Sequence, residues 1–160
     1  MSRVVVVLPV HPLTVGDSFL VSAWPLHVTL VPPFATEASV PSITEALRSA
    51  LGNENEYHLV AAGDDLFGRR HNILVTLLAD DERLTALRTR LVECLRPFAT
   101  NLDDRAFARL EFRPHITVKG ESRVHEGDEV HLSQLALVDM AARQSPTGRS
   151  VLSTIPLQSL

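Results

Sequence analysis

One short pattern occurs in both halves of this chain: Pro25-Leu26-His27-Val28-Thr29-Leu30 and Pro114-His115-Ile116-Thr117-Val118. In an extended strand, alternate side chains leave on opposite faces. His27 and Thr29 must therefore share one face while Leu26, Val28 and Leu30 fill the other. The second copy obeys the same rule, with Ile116 and Val118 behind His115 and Thr117. Each copy follows a proline and has an apolar residue in the middle and after the threonine. Two such strands, each presenting an imidazole and a hydroxyl to a common space, make a candidate active site. The plainer alternative is a pair of ordinary strands whose polar residues face solvent.

The rest of the chain supplies a frame for these strands. Val4 to Val10 is a continuous, largely β-branched run that reads as a buried strand. The first motif strand runs from about Leu26 to Val31, and Pro32 and Pro33 should end it. Ser42 and Glu45 form a capping box for a helix with Ile43, Ala46, Leu47, Ala50 and Leu51 on one stripe, stopped by Gly52. Tyr57 to Ala62 and Asn72 to Ala79 read as strands around a polar loop, Gly63 to His71, with Phe67 near its centre. A second helix runs from about Asp81 to Arg96, and Thr100 to Arg109 is expected to be a loop with at most one helical turn. The second motif strand spans about Glu111 to Lys119. Val130 to Met140 and Arg149 to Leu157 read as a closing hairpin around Gln144 to Gly148. The order suits an antiparallel α+β fold of two similar lobes, and no linker divides residues 1–160.

Composition narrows the function. The net charge is −4, so the strongly basic surface expected of a protein gripping long duplex nucleic acid is missing. Phosphate chemistry should be local, on a small ligand or a chain end. The single cysteine, Cys94, excludes an internal disulfide and paired-cysteine zinc sites. The N-terminal apolar run is too short to cross a bilayer or serve as a signal-peptide core. The expectation is a soluble cytoplasmic protein without membrane partners, and a monomer, since one chain holds both motifs.

The segments PLHVTLVPPF and FRPHITVKG resemble the two signature segments of the 2H phosphoesterases, the superfamily that includes 2′-5′ RNA ligases and cyclic nucleotide phosphodiesterases. The resemblance extends over nearly the whole order of elements. It implies a bilobed α+β fold, two antiparallel-sheet lobes with helices packed outside and a central cleft, each lobe giving one motif. It also implies metal-independent hydrolysis of 2′,3′-cyclic or 2′-5′-linked nucleotides or RNA ends, with a 2′-phosphate as the product from a cyclic substrate. His27 and His115 would be the catalytic acid and base, and Thr29 and Thr117 would bind the phosphate.

The residue types suit that chemistry. Histidine titrates near neutrality and serves as base or acid, and hydroxyls placed on non-bridging oxygens stabilise developing charge. Sequence does not divide the roles; the working assignment is His115 as base and His27 as acid, reversing with reaction direction. A catalytic zinc would need a third protein ligand, and none recurs with the motifs, so neither metal nor cofactor is expected. Arg113 and Lys119 share the strand parity of His115 and are candidate substrate contacts, as are Phe67, by stacking on a base, and Arg69. His58 and His131 carry no pattern that assigns them a role. A nucleotide- or RNA-end-binding module without turnover is the alternative of a different class, and a purely structural α+β protein is a third.

Overall fold

The N-terminal valine run forms β1 (Ser2–Pro9). In the computed structural model, which describes residues 2–108, 111–140 and 148–159, this strand is buried on both faces. Val4, Val6 and Leu8 enter the main core, while Val5 and Val7 enter a smaller one on the opposite side. Burial on both sides explains a continuous apolar run in place of alternation. β1 lies antiparallel between β3 (His27–Thr36) and β8 (Gln134–Asp139). Beyond β8 come β9 (Arg149–Pro156) and the short β2 (Ser18–Phe19).

β3 overruns the end expected at Pro32 and Pro33. The pairs Val4↔Phe34 and Val6↔Val31 leave both prolines in an irregular stretch of the β1 ladder, where their missing N–H groups cost no regular bond. β4 (Tyr57–Phe67) likewise absorbs residues 63–67 of the expected 63–71 loop and pairs with β5 (Ile73–Leu78). Gly63 sits at a ladder irregularity, and the true turn is confined to residues 68–72. Gly68 has φ +91°, so the hairpin tip needs glycine for its backbone conformation. The second motif strand, β6 (His115–Thr117), is only three residues long, shorter than expected.

The expected closing hairpin also changes. Its first arm divides at Ser133 into β7 (Glu129–Leu132), which pairs with β4, and β8, which pairs with β1 and β9. The proposed turn at residues 144–147 lies outside the described residues. The sheet order is β2-β9-β8-β1-β3-β6-β5-β4-β7. β7 and β8 stand far apart in that order, yet Ser133 alone joins them, so the sheet has to curl until its remote parts approach. A bridge between Asn55 and Gln158 marks the same approach. The α+β class, antiparallel sheet and cleft match the expectation, with the halves β2-β9-β8-β1-β3 and β6-β5-β4-β7 joined along β3 and β6.

Two helices cover the face that carries the main core. α1 (Val40–Leu51) starts before the expected Ser42, because Ser39 accepts from the Ser42 N–H and a proline occupies the first turn. α2 (Glu82–Leu95) is capped by Asp81, whose carboxylate accepts from Leu84 N–H at 2.9 Å. The helices pack together, and Arg90 bridges them by donating to Ala50 O and pairing with Glu54. Among the described residues, no helix is long and apolar enough to cross a membrane.

Candidate active site

The two motif strands lie side by side. Val28 pairs with Ile116, and both are buried on the helix side of the sheet. Antiparallel register then sets His27 opposite Thr117 and Thr29 opposite His115, all on the other face. The result is a checkerboard of two imidazoles and two hydroxyls, like groups on the diagonals. Diagonal neighbours in such a ladder stand about 7–8 Å apart at the backbone. Thr29 and Thr117 hydroxyls make no hydrogen bond to another group among the described residues.

Both histidines are oriented by the same local device. His27 Nδ1 lies 2.8 Å from Pro25 O, and His115 Nδ1 lies 2.8 Å from Arg113 O, each a carbonyl two residues upstream. A carbonyl only accepts, so Nδ1 carries the hydrogen and Nε2 is left with a lone pair for chemistry. The proline before His27 and the arginine two before His115 thus act through their backbones.

Their surroundings differ. Trp24 stacks on His27 with ring centroids 4.2 Å apart, and Lys119 and Arg149 lie over the indole at 5.9 and 5.6 Å. Burial, with lesser contributions from the Lys119 and His115 charges, pushes the His27 pKa down to about 4. A buried imidazole beside cations is held neutral. His115 meets Phe67 edge-on at 4.6 Å, and burial with the Arg113 charge lowers its pKa as well.

A cleft of about 570 Å³ opens beside His115, Thr117 and Thr29, walled by the β4–β5 hairpin and residues 111–113. Phe67 lines it and also backs His115. Arg113 lines it too, but its guanidinium is paired with Asp65 at 2.7 Å and sits over the Phe67 ring at 5.0 Å. It clamps the hairpin as much as it faces the cleft. Arg69 is exposed in the turn and is not part of the lining; His71 is. Lys119 also lies outside the lining, toward Trp24, and burial and Arg149 lower its pKa.

Two cleft arginines escaped sequence reasoning. Arg88, on α2, stacks on Phe112 at 5.1 Å, and burial lowers its pKa. Arg105 follows the loop after α2. Neither has a carboxylate partner among the described residues. Nothing in the helical pattern of α2 sets Arg88 apart from its other arginines. The role of Trp24 was equally hidden, although its position three residues before His27 was the one available hint.

The sequence model of the 2′-5′ RNA ligase superfamily matches residues 9–140. No curated protein gives a significant match. Among solved structures, TT0787 of Thermus thermophilus superposes with a TM-score of 0.65 at 15% identity, covering 98% of each chain. A protein described as a phosphoesterase gives 0.60 at 17% identity over 99% of each chain. E. coli LigT complexed with 3′-AMP gives 0.58 at 16% over 98% of each. At such identities the likeness is one of fold: a mostly antiparallel sheet curled as a half-barrel with two helices.

Proposed function

Because the superfamily pattern runs through most of its length, the chain belongs to the 2′-5′ RNA ligase superfamily, and from that premise we propose a metal-independent phosphodiesterase acting on 2′,3′-cyclic or 2′-5′-linked nucleotides. Family and fold support a phosphoesterase-type function at the coarser level. The observation that carries the finer reading is the checkerboard: two imidazoles with Nε2 left open and two hydroxyls without a hydrogen-bond partner among the described residues, all on one face of the paired motif strands. That E. coli LigT is complexed with 3′-AMP and with phosphate supports a nucleotide phosphate as the ligand.

In the proposed reaction the non-bridging oxygens accept hydrogen bonds from Thr29 and Thr117. His115, which borders the open cleft, takes a proton from water as its oxygen attacks phosphorus. The phosphorus–oxygen bond to the ribose 3′-oxygen breaks, and His27 gives that oxygen a proton, leaving a 2′-phosphate. Held neutral in the free protein, His27 acquires its proton with the anionic substrate, whose charge favours the imidazolium. The threonines act on charge that grows during attack, and the imidazoles act in line on either side. Neither motif strand adds a carboxylate or thiol to the imidazoles. Among the described residues, the one three-ligand cluster lies elsewhere, at Glu56, His58 and His131.

The test is hydrolysis of a panel of 2′,3′-cyclic nucleotides and 2′-5′ oligonucleotides in EDTA, with product position read by phosphorus NMR. Turnover that disappears in both His27→Ala and His115→Ala is expected. Wild-type rates in both variants overturn the mechanism, and tight binding without turnover favours the binding module.

A further inference from the structure

Far from the cleft, at the outer edge of the sheet, β4 and β7 bring three ligating side chains together. Their ladder pairs Tyr57 with Leu132, His58 with His131 and Leu59 with Val130. Tyr57, Leu59, Val130 and Leu132 are buried on the helix side, so His58 and His131 leave together on the other face. Their rings stack at 4.5 Å with 7° between planes. Glu56, one residue before β4, accepts from His131 Nε2 at 2.9 Å. One donor atom from each of the three falls within 4.8 Å of the others.

We propose that Glu56, His58 and His131 form a site for a divalent transition-metal ion such as zinc. Two imidazoles and one carboxylate suit zinc and its first-row neighbours, whereas calcium and magnesium call for oxygen ligands. Bonds of about 2.0–2.2 Å place tetrahedral ligands roughly 3.3–3.5 Å apart, so binding turns the two rings out of their parallel stack until both ring planes meet at the ion. The metal takes the place of the hydrogen now shared by His131 and Glu56.

The carboxylate is also reserved for this use. Its neighbour Glu54 takes both nearby arginines, Arg83 and Arg90, while the ion-pair partner of Glu56 among the described residues is His131. Its side chain is only 15% exposed, and its backbone N–H donates to Gln158 O, which fixes where the carboxylate can reach. A bound ion would tie together the start of β4, the four-residue edge strand β7 and, through Glu56, the C-terminal segment. Short edge strands have a single neighbour, so a metal tie there adds most where the ladder adds least.

Calorimetric titration of the chelator-treated full chain with zinc chloride tests the site. One ion per chain is expected, with affinity reduced by roughly tenfold or more in His58→Ala and in His131→Ala. The double variant His27→Ala/His115→Ala should bind as the parent does, and zinc should raise the melting temperature of the parent and of that double variant alike. Both edge histidines are exposed, so their variants should fold, which circular dichroism checks. Unchanged binding in both edge variants, loss of binding in the cleft double variant, or no binding up to about 1 mM zinc overturns the proposal.

Discussion

The two motif strands hold the same pair of residues in unlike settings: His115 lines the cleft, whereas His27 lies outside its lining, under Trp24. β3 is a ten-residue strand embedded between β1 and β6, and His27 lies on it under an indole flanked by two cations. β6 has three residues, and His115 borders the open cleft with Phe67 in a T-shaped contact against it. The orienting hydrogen bond is the same in both, a 2.8 Å contact with the carbonyl two residues back. Orientation is therefore duplicated while hydration is not. Two chemically identical side chains are given different affinities for a proton by what covers them.

The largest expected effect separates acid from base. Each histidine-to-alanine change should lower kcat by roughly a thousandfold or more. A substrate with sulfur at the leaving position needs no acid, so it should restore much of the rate to His27→Ala and little to His115→Ala. The opposite rescue pattern exchanges the roles. Next come the hydroxyls: Thr29→Val and Thr117→Val should each lower kcat by roughly 100-fold, because each removes a donor to developing charge. A large difference between them would show that the checkerboard is not used symmetrically.

Stability reads the same asymmetry without substrate. His27 has its pKa depressed to about 4 in the folded chain, against 6.5 when exposed. Above pH 6.5 it is neutral in both states and contributes no pH dependence. Between 6.5 and 4 the unfolded chain binds a proton that the folded chain refuses, so stability falls as pH falls. The loss approaches about 3 kcal/mol near pH 4. Urea denaturation at pH 7 and 4.5 should show a smaller loss in His27→Asn, and a reduced one in Trp24→Ala, which uncovers the ring. The smallest effect concerns the cleft wall. Arg88→Ala and Arg105→Ala should raise KM by about tenfold with kcat nearly unchanged, as steady-state kinetics would report.

Much of this asymmetry was beyond reading from sequence, for definite reasons. Strand periodicity put His27 and Thr29 on one face, and His115 and Thr117 on one face, because alternation is a local property of the chain. It said nothing of β3 lying beside β6, which depends on pairing between residues far apart in sequence. The helices were legible from Leu84, Leu87, Leu91 and Leu95 and from their Ile43–Leu47–Leu51 counterpart, all buried as the stripe requires. The β3 prolines misled because their effect depends on the partner ladder, which is irregular just there. Arg69 and Arg88 show the same limit. Arg69 is exposed in the β4–β5 turn, while Arg88 is one of several arginines on α2 and reaches the cleft only because packing turns its position that way.

The junction between the halves is narrow. Where β3 meets β6, one residue pair, Val28 and Ile116, carries the register, and the four motif side chains stand two on each strand. In the proposed reaction, a phosphate held by Thr29 on β3 and Thr117 on β6 bridges the two strands where a single residue pair joins them.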